Sequence, residues 1–294
     1  MKADRIGIYA ILVACALNVA VAAGFFFVGK IDPHYSPISG VIIRIFANAL
    51  CLLPGLLVGR RLPKVESWSK GRELWLWGFF GLLTVVTYYD AVTALGGGCA
   101  TLLNAGSGVF VVALAPALTG QKLSRLHTVG ATGCLIGMLL LADFSATTAW
   151  HGYMMAVLSG LFSAIAYLMI ARGGKRHSAA SVVWHWSIVN CVCVAVLPLL
   201  IPLSWPHLRL AWLILILVGV AAATAQYLTA IAYQESSASL IACLSFAGPL
   251  LSMVVDFYIF RFPLSAWSVA GMGTILVCGL VIPIMQPRRS LQNR

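Results

Sequence analysis

Polar and aromatic side chains able to do chemistry recur inside long apolar runs of this sequence. Tyr88-Tyr89-Asp90 sets two aromatic rings beside a carboxylate. Such a group can stack on an amphipathic solute or hold a cation. Trp184-His185-Trp186 flanks an imidazole with two indoles. Ser163 and Tyr167 stand four apart and share one face of a helix. Asn104 is framed by Ala105, Gly106 and Gly108, and Asn18, Gln226 and Tyr227 are further polar points in apolar surroundings. The chemistry available is hydrogen bonding, stacking and charge pairing. Each residue also has a packing explanation: Asn and His bridge helices, glycines permit close approach, and tyrosines sit at interfaces.

Catalysis needs more than this. Neither H-E-x-x-H nor G-x-S-x-G occurs, and Asp90 and Asp256 lie far apart with no histidine beside either. Gly96-Gly97-Gly98 lacks the Lys-Ser/Thr of a phosphate loop and reads as a tight turn. The eight cysteines show no C-x-x-C spacing, so neither a metal site nor a disulfide framework is expected. The expectation is a protein that is not an enzyme and carries no cofactor.

The surroundings of these groups decide the class. The chain is 61% hydrophobic and 9% charged, with mean hydropathy +0.96. A soluble domain carries about 25% charged residues. The sequence therefore describes an all-α membrane protein whose partners are the lipid bilayer and a small molecule. Its net charge of +11 reads as loop asymmetry, not as a nucleic-acid footprint.

Ten apolar spans can be placed, at residues 6–28, 39–58, 74–95, 101–119, 128–141, 152–171, 181–200, 211–233, 239–260 and 267–285. A span needs about 20 residues to cross a hydrocarbon core of ~30 Å. The first is too long for a signal-peptide core and reads as an uncleaved helix. With the N-terminus inside, fifteen basic residues fall on inner segments and three, Lys30, Arg209 and Arg261, on outer loops; Arg44 lies within a span. This bias puts both termini in the cytoplasm.

The chain also repeats. Ser245 to Pro249 matches Asn104 to Gly108 at an offset of 141, and Ser39, Asn48 and Lys30 match Ser181, Asn190 and Arg172 at 142. Trp186 takes the repeat position of Arg44. Two units follow, residues 1–145 and 146–294, each of five spans. An odd number of spans inverts the second unit. Two inverted five-helix repeats with a binding site between them form the architecture of secondary transporters. The alternative of a small-solute channel lacks the rings of charge or carbonyls that channels use.

Several patterns resemble the drug/metabolite transporter superfamily in its ten-helix EamA-type branch. They are Pro37-x6-Arg44, Pro116 with the loop Gly120 to Ser124 and Gly130-x6-Gly137, Gly152 with Ala164-x2-Tyr167, and Ser239-Leu240-Ile241 with Pro249. Gln121 stands where many relatives carry an acidic residue. The resemblance implies export of small amphipathic metabolites across a bacterial inner membrane, aromatic amino acids fitting best. Multidrug, cationic-compound or nucleoside efflux on the same fold is the alternative. Gly133-x3-Gly137 can pack within a monomer or make a homodimer.

Two charges lie at matching depth. Arg44 is seven residues, ~10 Å, from Pro37, and Asp90 six residues, ~9 Å, from Gly96. An ion pair between them is expected, as structural glue or as a gate. For topology, an impermeant thiol reagent added to intact cells should label a cysteine at position 206 faster than one at position 68. Faster labelling at 68 would reverse the orientation.

Overall fold

Pro37 begins a helix because its ring presets φ and its missing N–H is one the first turn does not use. Ser36 precedes it in extended conformation, and its side chain accepts from the Ser39 N–H. The same device recurs at offset 142, where the Ser178 hydroxyl accepts from the Ser181 N–H at 3.2 Å. These local starts organise a computed structural model that describes residues 2–51, 65–95, 97–119, 125–141, 150–173, 176–200, 202–236, 240–241, 244–259, 261 and 266–281.

The described residues are helical, with no strand among them. The helices are α1 (Lys2–Ile31), α2 (Pro37–Leu50), α3 (Trp68–Leu95), α4 (Gly97–Ala105), α5 (Ser107–Thr119), α6 (Arg125–Leu141), α7 (Trp150–Gly173), α8 (Ala179–Leu200), α9 (Arg209–Glu235), α10 (Ala247–Tyr258) and α11 (Ala266–Ile275). A π-helical turn, Leu276–Val281, extends α11. Among the described residues, six helical stretches are long and apolar enough to cross a membrane, and three shorter ones are apolar. Their outward faces carry large apolar side chains such as Val129, Val192, Leu199 and Trp267. Such faces suit lipid and not water. The chain is a multi-pass membrane protein.

Two expectations change. The fourth span is two helices, α4 and α5, broken at Gly106. A Cβ on Gly106 would sit 2.8 Å from the Leu103 carbonyl and 2.9 Å from Met138, so the close approach excludes a side chain. The expected change of helix at Gly96-Gly97-Gly98 falls between Leu95, the end of α3, and Gly97, the start of α4; Gly96 itself lies outside the described residues. The ninth span is broken likewise at Ser245–Phe246, directly before Ala247, the repeat position of Gly106. The later part of the second span, the loop 120–124, Ser239 and the boundary after residue 145 lie outside the described residues.

The most extensive helix packing is α3 on α7 and α1 on α9, followed by α6 on α11. Glycines set the spacing at two further contacts. A Cβ on Gly78 of α3 would meet Val189 of α8 at 2.9 Å, and one on Gly219 of α9 would crowd Ala47 and the Arg44 carbonyl of α2. Gly78 and Gly219 are 141 apart, and Ala47 and Val189 are 142 apart.

A clasp joins the loop after α1 to the loop before α9. Ser36 N–H and Ser39 Oγ both donate to the Ser204 carbonyl at 2.8 Å. Asp32 Oδ2 accepts from the N–H groups of His207 at 2.7 Å and Leu208 at 3.1 Å. It thus supplies the cap that the side chain of Leu208, the residue before α9, cannot. The Leu208 N–H holds the Asp32 carboxyl below the usual carboxylate range; burial opposes this and the His207 N–H adds to it. A depressed carboxyl stabilises the fold above its unfolded pKa and loses that contribution as pH falls through its folded pKa. Asp32→Asn should therefore lower Tm at pH 7, and the gap to wild type should close as pH falls below the carboxylate range. A pH-independent gap would refute the charge contribution.

Candidate functional site

The helix faces that turn inward repeat at helical spacing. Ile11, Cys15 and Asn18 of α1, Trp77, Gly81, Thr84 and Tyr88 of α3, and Gln226, Thr229 and Tyr233 of α9 each form a stripe at three- and four-residue steps. Together with Arg44, Tyr89, Thr101, Asn104, Ser163, Tyr167 and Trp186 they enclose a cavity of about 180 Å3. Both helix breaks open onto it, through Ala105 and Ser107 at the first and Ser245, Gly248 and Pro249 at the second.

Hydrogen bonds fix the wall. The Asn104 amide donates to Ser159 Oγ at 2.8 Å and Ser163 Oγ at 3.3 Å, tying α4 to α7. Ser163 donates onward to Thr84 Oγ1 on α3 at 3.4 Å. The Tyr88 and Thr101 hydroxyls bond at 2.6 Å and join α3 to α4. The Asn48 amide donates to Gln226 Oε1 at 2.8 Å. Asn190, fully buried, donates to the Gly78 carbonyl at 3.1 Å and the Trp186 carbonyl at 2.7 Å, which holds Trp186 in place. Gly81 leaves room for the Trp186 indole, whose Nε1 would collide with any Cβ there.

Aromatic pairs stand at two levels. Phe25 of α1 stacks on Tyr89 of α3 with centroids 3.9 Å apart, and Tyr167 of α7 stacks on Tyr233 of α9 at 5.1 Å. Phe25 and Tyr167 are 142 positions apart.

The sequence candidates divide cleanly. Asn18, Tyr88, Tyr89, Asn104, Ser163, Tyr167, Trp186 and Gln226 line the cavity; Asp90, His185 and Tyr227 do not. Each of the three that miss the cavity adjoins a residue that lines it, and one step on a helix turns a side chain by about 100°. Tyr227 is 43% exposed on the outer surface of α9. His185 is fully buried elsewhere: it accepts from the Glu66 N–H at 2.9 Å through Nε2, and its Nδ1 faces the Ser181 carbonyl at 2.8 Å. Those two bonds describe a neutral imidazole that anchors the segment before α3.

The expected Arg44–Asp90 ion pair is not made. Asp90 turns outward to the His151 ring, with Oδ2 and Nε2 2.7 Å apart, both side chains well exposed. Arg44 is buried and covers the Tyr89 ring at 5.4 Å from its centroid. Depth along the helices matched, but the rotation about α3 did not. Tyr233, a further polar point of the eighth span, also lines the cavity, whereas sequence reading missed Thr84, Thr101, Ser107, Thr229 and Trp77 in the wall. The stripe through Gly81 and Tyr88 on α3, and the one through Gln226 on α9, would have found three of them.

With this geometry in hand, likeness to known proteins can be placed. The profile of the EamA-like transporter family matches twice, over residues 8–142 and 150–283. The chain belongs to the EamA-like transporter family. That family lies within the drug/metabolite transporter superfamily and makes the chain a membrane transporter rather than an enzyme. The chain is 23% identical over 261 residues to uncharacterized transporters from Helicobacter pylori strains J99 and 26695, covering 85% of this chain and 86% of each of theirs. A solved crystal structure with 22% identity superimposes with TM-score 0.69 over 97% of this chain and 98% of its own, which supports the fold alone.

Because Arg44 and Asp90 have separate partners, Arg44→Ala and Asp90→Ala should add independently, within about 0.5 kcal/mol in Tm-derived stability. Breaking the exposed Asp90–His151 pair should cost at most ~1 kcal/mol. A coupling above ~1 kcal/mol between Arg44 and Asp90 would restore the sequence-based pair.

Proposed function

We propose that this EamA-family chain is a secondary transporter that exports amino acids, the aromatic ones best, or similar small amphipathic metabolites by alternating access. The observation that carries the reading is the cavity itself: a small chamber with an aromatic and hydroxyl-rich wall, bordered by two helices broken within two residues of equivalent repeat positions. Broken helices at a central cavity present backbone polar groups to a solute while the rest of each span keeps its own bonds. Export across a bacterial inner membrane, with both termini cytoplasmic, is the direction this reading assigns.

In this reading the chain has ten spans in two inverted units, residues 1–145 and 146–294. The double family match supports two units. The packing supports them too. The offset carries α1 onto α7 and α3 onto α9, so the two largest contacts, α1 on α9 and α3 on α7, exchange with each other. The glycine contacts at Gly78 and Gly219 and the aromatic stacks follow the same exchange.

Asn18, Tyr88, Tyr89, Asn104, Ser163, Tyr167, Trp186 and Gln226 are the substrate-contacting set in this proposal. Tyrosine and tryptophan faces take the apolar body, and Asn104, Ser163 and Gln226 orient polar groups. Counterflow in sealed proteoliposomes loaded with unlabelled phenylalanine tests it: labelled substrate should accumulate transiently against its gradient. Asn104→Ala should reduce that accumulation about tenfold with the protein still folded. Flux without trans-stimulation would indicate a channel and reject the carrier.

A further inference from the structure

Arg44 is the one charged side chain that lines the cavity among the described residues; no Asp, Glu or Lys and no histidine lines it. It is 5% exposed, and its Nε–H has no acceptor. Tyr89 covers a face of the guanidinium, which attracts the charge without engaging its in-plane N–H groups. Asp90 and Asp32 are committed elsewhere, Asp90 to His151 and Asp32 to the backbone before α9. A second buried donor in the wall, Trp77 Nε1, also has no acceptor. It lies twelve residues from Tyr89, ~18 Å along α3.

A buried cation with no counter-charge is costly, and in a membrane such a residue marks the path of a charged solute. The repeat gives no relief, because the equivalent position in the second unit holds Trp186, a neutral donor. The planar guanidinium matches a carboxylate with two parallel hydrogen bonds. Beside it the Tyr88 ring meets Tyr89 edge to face, 5.0 Å between centroids. Tyr89 is buried between Phe25 and Arg44, so the half-buried Tyr88 ring provides the surface for an apolar body.

We infer that Arg44 is the anion subsite of the transport cavity: the solute is an organic carboxylate, held by its carboxylate on Arg44 and by its apolar part on the Tyr88 ring. This rests on the carrier reading and deepens it. Organic cations meet a positive wall with no carboxylate among the described residues, so this cavity disfavours a cationic solute.

Matched probes test the subsite on purified full-length protein in detergent: hydrocinnamate, hydrocinnamamide, phenethylammonium and L-phenylalanine. Binding is read as the rise of Tm with concentration. Hydrocinnamate should act at concentrations about tenfold below the amide, and phenethylammonium should not act. L-Phenylalanine as strong as hydrocinnamate assigns the site to amino acids; L-phenylalanine about tenfold weaker assigns it to carboxylates without an amino group. R44Q should abolish the preference for carboxylate over amide. Where R44Q does not fold, R44K, which keeps the charge and loses the planar fork, should weaken hydrocinnamate selectively. Stabilisation by phenethylammonium, equal stabilisation by all four probes, no stabilisation by any, or a carboxylate preference that survives R44Q would each overturn the proposal. Counterflow judges the carrier reading separately. Carboxylate binding through Arg44 without trans-stimulated exchange leaves the subsite standing and removes the carrier.

Discussion

Close approach of helix backbones is the constraint on which this molecule depends. Inside a bilayer the chain cannot rely on water exclusion to hold helices together, so packing and internal hydrogen bonds must do it. Gly78 against Val189 and Gly219 against Ala47 bring α3 to α8 and α9 to α2. Gly160 brings α7 within 3.3 Å of the backbone at the break after α4, measured from a Cβ it lacks. A larger side chain at any of these points pushes a helix outward, and overpacking of this kind costs roughly 1–3 kcal/mol. The cavity is the space these contacts leave.

The same economy governs the polar groups. Asn48 and Asn190 are both fully buried and both spend their amides across helix boundaries, one on Gln226 and one on Gly78, Asn190 also donating to the Trp186 carbonyl of its own helix. They sit 142 positions apart and fix a cavity residue each. On the clasp side, Asp32 caps α9 from the first loop. On the other side, His185 holds the Glu66 N–H, whose own carbonyl accepts from the Trp75 indole at 2.9 Å. Side chains that look functional in the sequence are here partly the fasteners of the frame, and the site is built from those left over.

Composition and span lengths were enough to read the all-helical membrane class. The spans at 128–141, 152–171, 181–200 and 211–233 lie within three residues of their helices at both ends, since a run of about 20 apolar residues has few alternatives. The two breaks were harder to see. Gly106 could be packing or punctuation, and only the approach of Met138 and the Leu103 carbonyl decides it. At the site, the legible part was which residue types are rare in a membrane. What the sequence reading left out was rotation about each helix. Tyr89 faces in and Asp90 out, Trp186 in and His185 away, Gln226 in and Tyr227 outward. Depth along a span follows from counting residues; the direction of a side chain follows from the whole stripe it belongs to, and single residues were weighed where stripes were needed. The Arg44–Asp90 pair failed for that reason.

The central claim is that the chamber bounded by the two helix breaks is the solute's path. Its most direct measurement is the reactivity of N104C, in a chain otherwise free of cysteine, towards a small water-soluble thiol reagent. The account predicts that N104C reacts and that a transported solute slows the reaction in proportion to its occupancy. An unreactive N104C, or one whose rate is unchanged by a solute the protein demonstrably carries, would contradict it.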